Sequence, residues 1–206
     1  MRRLVACILL SAGMMLGTSA QNGNAYDRFV RNLEDACVSF SCGYEFSGLQ
    51  GIGPVKGTAS VMLQGKSYRF SGGGLMIVSD GESVCVMDEG AREAVLENVP
   101  EDASEMDFMT NPALLIHSLK DNFKVEKIED GRCFLVPVVN CGVDRCVLVF
   151  AGSSQNLSSA EFRLSDGSVL KASVTDYKIT KKEPASYFKP ADPSSFDLSW
   201  VVTDLR

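Results

Sequence analysis

The chain has 206 residues, 20 of them Lys or Arg and 26 Asp or Glu, for a formal net charge of −6 with a single histidine. That acidic balance argues against nucleic acid and against unassisted binding to an anionic lipid surface. A length of this order fits one domain with a sizeable core.

Residues 1–20, "MRRLVACILLSAGMMLGTSA", pair two arginines with an apolar stretch and a small-residue end at Thr18-Ser19-Ala20. This pattern predicts a cleaved secretory leader and a single domain over residues 21–206. The apolar run is short for a bilayer anchor. Leu4-Val5-Ala6-Cys7 matches a lipid-attachment box, but only Met1-Arg2-Arg3 precede it, which leaves no apolar region upstream of the cut. Cleavage after Ala20 leaves 18 basic against 26 acidic residues, a net charge of −8. No further membrane-length apolar run follows.

The first element predicted beyond the leader is an amphipathic helix over 26–37. Tyr26, Phe29, Val30, Leu33 and Cys37 recur at helical spacing, and Asn24 is placed as N-cap. Strands are expected next at 38–48, 55–63, 66–71, 75–79, 83–88 and 91–97, punctuated by "GLQGIGPV" and Gly72-Gly73-Gly74. Within them, Leu75–Val78 and Val84–Met87 are apolar runs joined through Asp80-Gly81. Asp-Gly between β-formers signals a hairpin, ordinarily a type I′ turn with positive φ at both central residues. An antiparallel hairpin usually alternates apolar and polar positions, and these runs do not. Both faces of this hairpin must therefore be covered.

A short helix is predicted over 111–119, with Asn111 as cap, Pro112 at its first position, and Leu114, Leu115 and Leu119 following. Strands resume at 122–128, 132–138, 145–151, 158–165 and 168–179, the last two joined through Asp166-Gly167. So many antiparallel strands curl into a barrel or half-barrel. The helices bury their apolar faces most economically on its concave side. Composition and periodicity leave two readings of that concavity, a space filled by its own side chains and a ligand cavity.

Six cysteines follow the leader, Cys37, Cys42, Cys85, Cys133, Cys141 and Cys146. An even count in an exported chain suggests disulfides. Cys141 with Cys146, across "CGVDRC", is the best local pairing. No Cys-x-x-Cys is present and His117 is the lone histidine, so a zinc site is poorly supported and no cofactor is expected. The chain has no Gly-x-Ser-x-Gly elbow and no phosphate loop. The carboxylates of "VPEDASEMD" read as a solvated loop cluster. An enzyme is not the expected class.

An ordered series of short motifs resembles the outer-membrane lipoprotein carrier family, the LolA-like periplasmic chaperones. Gly57-Thr58 opens a strand. Gly65-Lys66-Ser67-Tyr68-Arg69-Phe70 is similar to the family's Pro-Gly-Lys-Phe-Arg-Trp pattern, and Ile77-Val78-Ser79-Asp80-Gly81-Glu82-Ser83-Val84 to its Asp-Gly hairpin. Asn111-Pro112-Ala113-Leu114-Leu115 resembles its lid helix, Phe134-Leu135-Val136-Pro137 a Leu-x-Pro strand, and Phe188-x-Pro190 its closing segment.

The resemblance implies an unclosed antiparallel half-barrel with helices over an apolar concave face. It implies a periplasmic, monomeric carrier of the acyl chains of lipoproteins, served by an inner-membrane release transporter and an outer-membrane acceptor. It would set Phe29, Leu33, Leu114, Leu115 and Leu119 against the acyl chains from the lid. Tyr68, Phe70, Ile77, Val84 and Val86 would face them from the sheet, with Arg69 at a polar rim. One departure stands out: where the family has a basic residue and a proline after the second strand, this chain reads Met62-Leu63-Gln64. A carrier of other lipids, without a lipoprotein client, is the competing expectation.

Overall fold

The computed structural model describes residues 24–48, 53–100, 119–152 and 154–206. Its centre is one twelve-stranded sheet. In chain order the strands are β1 (Cys37–Ser47), β2 (Val55–Gln64), β3 (Ser67–Gly72), β4 (Leu75–Ser79), β5 (Ser83–Asp88) and β6 (Glu93–Asn98). The second half holds β7 (Phe123–Glu129), β8 (Arg132–Pro137), β9 (Val143–Phe150), β10 (Leu157–Leu164), β11 (Val169–Thr180) and β12 (Val201–Asp204). The spatial order is β12-β6-β5-β4-β3-β2-β1-β11-β10-β9-β8-β7, so the sheet is unclosed, with β12 and β7 at its edges. Every pairing is antiparallel except β12 on β6. The expected mainly β, open half-barrel is the architecture observed.

The sheet is two antiparallel meanders, β1–β6 and β7–β11, joined along the β1–β11 seam. That seam pairs Cys37 with Thr180 and Ser47 with Val169. Helix α1 (Ala25–Asp35) precedes β1, and the Asn24 side chain caps it by accepting from the Asp27 amide at 2.9 Å. Cys37, expected at the end of this helix, is instead the first residue of β1. Ala36 has already turned to extended backbone. A short helix, α2 (Leu119–Asn122), leads into β7. The rest of the predicted 111–119 helix, with Leu114, Leu115 and His117, lies outside the described residues, as does the leader.

The Asp80-Gly81 turn departs from type I′. Gly81 has φ 94°, and Asp80 is not among the residues of positive φ. Asp80 acts through its side chain, which accepts from the amides of Glu82 and Ser83 at 3.0 and 2.9 Å. Asp166 repeats the device on the amide and hydroxyl of Ser168.

The apolar 75–87 hairpin has two covers. Ile77 and Val84 are buried in the main core, with Leu75 and Val86 packed against it. Cys85, in the opposite parity, joins Ala94 and Leu96 in a second core on the convex face, against which Met87 packs. That second core is closed by the C-terminal segment, through Ala191, Phe196, Trp200 and Val202. The segment runs from β11 through two 3₁₀ turns, at Ala185–Phe188 and Pro193–Ser195, to β12. Its Phe188 is fully buried.

Candidate ligand-binding face

Register fixes which side chains share the concave face. Val38 pairs with Leu63, Phe40 with Val61, and Cys42 with Ala59; Tyr68, Phe70 and Gly72 then continue these rows onto β3. On β4 and β5, Ile77 pairs with Val86 and Ser79 with Val84. Across the seam the same face carries Ala172 beside Ala160, Leu170 beside Phe162, and Cys146 beside Leu135. These residues form one apolar cluster extending from β4 and β5 to β8. Among the described residues the buried polar ones are Ser79 and Ser168. Ser79 donates to the Ser83 carbonyl at 2.9 Å, so its burial leaves no unmet hydroxyl.

The floor is uneven. Phenylalanines at 40, 46, 70, 150 and 162 stand around a middle of Cys42, Ala59 and Ala160, with Gly72 in the Cys42–Ala59 row and Gly57 paired with Tyr44 in the next. Tyr44 pairs with Gly57 and lies over its backbone where a Cβ would otherwise stand.

Helix α1 lies on this face. Its Tyr26 and Phe29 are buried, with Val30 and Leu33 packed beside them. The Phe29 ring meets Phe150 edge-on at 6.0 Å. The Tyr26 hydroxyl points at the Leu119 carbonyl at 3.4 Å, and the Gly65 amide donates to the Leu33 carbonyl at 2.6 Å. The helix is thus tied to α2 and to the β2–β3 turn.

Of the residues expected on the ligand face, Phe29, Tyr68, Phe70, Ile77, Val84 and Leu119 are buried in this cluster, and Leu33 and Val86 pack on it. Arg69 does not join them. It alternates with Tyr68 and Phe70 and so faces the convex side, where its Nη1 donates to the Tyr187 carbonyl at 2.7 Å. The expected rim position is therefore corrected. Sequence reasoning passes over Tyr26, Phe150 and Phe162 as ligand-face residues, although each sits in an apolar pattern of its own.

The thiols also differ from expectation. All six cysteines are buried and free, and the Cys141–Cys146 pairing is not formed. The two do not oppose one another across a hairpin: Cys141 lies in the turn before β9, while Cys146, inside β9, pairs with Leu135 and Phe162. Burial pushes the Cys133 thiol up to about 11 and the Cys146 thiol well above its ordinary value. The Tyr26 phenol is raised to about 12, first by burial and then by Cys133 and Cys146. The Tyr26 phenol and the Cys133 and Cys146 thiols are thus neutral near pH 7. Among the described residues, no set of three or more His, Cys, Asp or Glu is arranged to hold a metal ion. No described helix is long and apolar enough to cross a membrane.

No family model matches the sequence, and no curated protein matches it. Its structure is similar to that of an uncharacterised conserved protein from Thermus thermophilus, with a TM-score of 0.51 and 13% identity, over 87% of this chain and 96% of that one. The likeness is one of fold. Lower TM-scores are found with a LolA superfamily protein from Nitrosomonas europaea (0.45, 10% identity, 82% of this chain and 98% of that one). The same holds for an outer membrane lipoprotein-sorting protein domain, described as putative, from Vibrio parahaemolyticus (0.42, 8% identity, 80% and 97%).

Proposed function

We propose that the concave face binds acyl chains and that the protein is a periplasmic carrier of lipid-modified proteins, exported by cleavage of residues 1–20. The observation that carries this reading is the continuity of the apolar cluster across the β1–β11 seam beneath a single amphipathic helix. Each methylene moved from water into such a site gains about 0.8 kcal/mol, so a chain of a dozen carbons favours it strongly. Release then requires a competitor. Helix α1, whose Phe29 and Leu33 cover the same face, offsets part of that gain when it packs down.

The motif series of the lipoprotein carriers supports lipoproteins as the cargo. At the position where that family has its basic residue, Gln64 holds the C-terminal segment instead. Hand-off to an outer-membrane acceptor would then depend on other residues.

Native mass spectrometry of the protein purified under mild conditions from its own host tests this, beside a Val86→Arg variant that brings a charge to the concave face. The expected result is co-purifying acylated protein that is lost in the variant. Phospholipid or fatty acid in its place would give a lipid-binding protein without a lipoprotein client. An empty protein, equally stable with and without detergent, would overturn acyl binding.

A further inference from the structure

The opposite face of the sheet holds a groove of about 270 Å³ that the acyl-binding reading does not use. Its floor follows from register. Ser41 pairs with Ser60, Ser60 with Ser71, and Ser71 with Met76, a straight cross-strand row on β1 to β4. The next row runs from Lys178 to Ser39, Met62 and Arg69. With strands about 4.8 Å apart, a row of four spans roughly 14 Å. The serines are short enough to leave depth, and the four hydroxyls make no hydrogen bond within the described chain.

Two features turn this floor into a site. Tyr187 borders it, with 41% of its surface exposed, and that ring is fixed. The Arg69 guanidinium lies 4.8 Å from its centroid, and the ring of fully buried Phe188 meets it edge-on at 5.5 Å. At the other end a β-bulge in β11 sets one extra residue between the partners of Ser39 and Ser41. Asp176, in the bulge with φ 51°, brings a carboxylate to the groove beside Lys178.

We infer that this groove is a binding site for a short neutral saccharide of one or two rings. Hydroxyls that both donate and accept, a carboxylate that accepts from paired sugar hydroxyls, and a rigid aromatic plate against a ring's C–H face suit that chemistry. The volume lies just below the usual range of small-molecule sites, which limits the ligand to a short one. The alternatives fit less well. An acyl chain would strip water from the serines without replacing its hydrogen bonds. An inorganic anion would find Lys178 offset by Asp176 beside it, and Arg69 already engaged with the Tyr187 carbonyl and ring. An extended peptide would find no backbone partners, because β1, β2 and β3 are paired on both sides. The inference stands on the groove alone and does not depend on the acyl-binding reading.

The test follows the methyl resonances of ¹³C-methionine-labelled full-length protein, Met62 and Met76 lining the groove. N,N′-diacetylchitobiose and maltose are titrated separately, with sodium phosphate as the third probe. A saturable shift of both methyls with at least one sugar is expected, weakened roughly tenfold or more by Tyr187→Ala and by Ser60→Leu. The rest of the spectrum reports that each variant is folded. No saturable shift with either sugar, shifts that persist in both folded variants, or an equal response to phosphate would overturn the inference.

Discussion

Gln64 and Glu183 are joined by two hydrogen bonds. The Gln64 amide Nε2 donates to the Glu183 carbonyl at 3.0 Å, and the Glu183 amide donates to Gln64 Oε1 at 2.8 Å. The carboxamide thus acts as one more unit of backbone and pins the C-terminal segment to the end of β2. Segment and sheet then share the second core over Cys85 and Leu96. Gln64→Ala leaves the Glu183 amide and carbonyl to water and loosens that attachment. The expected cost is about 1–3 kcal/mol, or several degrees of Tm for a protein of this size. Thermal denaturation checks it, with Gln64→Glu, which keeps an acceptor for the Glu183 amide, falling between Ala and the parent.

Gly57 is held to glycine by its partner. A Cβ at this position would overlap the Tyr44 ring, which lies across the Gly57 backbone. Gly57→Ala is expected to displace that ring and destabilise by about 1–3 kcal/mol. The double variant Gly57→Ala with Tyr44→Ala should cost less than the sum of the single changes, measured as a double-mutant cycle by urea denaturation.

Alkaline pH should weaken the fold ahead of ordinary surface titration. Burial raises Tyr26 and Tyr177 to about 12 and Cys133 to about 11, against 10.0 for a free tyrosine and 9.0 for a free thiol. A raised pKa means that the folded state keeps its proton where the unfolded state has lost it. The stability this represents is complete below pH 9, begins to fall as unfolded thiols ionise, and is gone above about 12. Tyr26→Phe should flatten the decline between pH 10 and 12 by on the order of 1 kcal/mol. Denaturant midpoints at pH 8, 10 and 11.5 decide it.

Most strands are legible in the sequence because turn chemistry and side-chain period agree there. Asp80-Gly81, Asp166-Gly167 and Gly65 each sit where the chain reverses. Periodicity misplaces Cys37 because it lies four residues after Leu33, and helical spacing continues smoothly into a strand whose first residues are apolar. Arg69 is legible in principle: it lies between Tyr68 and Phe70, so if they face in, it faces out. Three features cannot be read this way. The cover of the convex face is built from Phe188, Phe196, Trp200 and Val202, irregularly spaced among prolines, so no period announces them. The parallel strand β12 is four residues long. The serine row needs three strand registers at once, and register lies in pairing rather than in any one segment.

The seam between β1 and β11 has a kinetic consequence. It joins residues 37–47 to residues 169–180, so the concave face is split between two meanders until contacts far apart in sequence are made. Local hairpins can form early in either half. Neither half alone spans the trough, and closing so long a loop precedes any reward from burial. A ligand that bridges the seam therefore meets its complete site only after the slowest pairing step, and once bound it adds to the stability of that join.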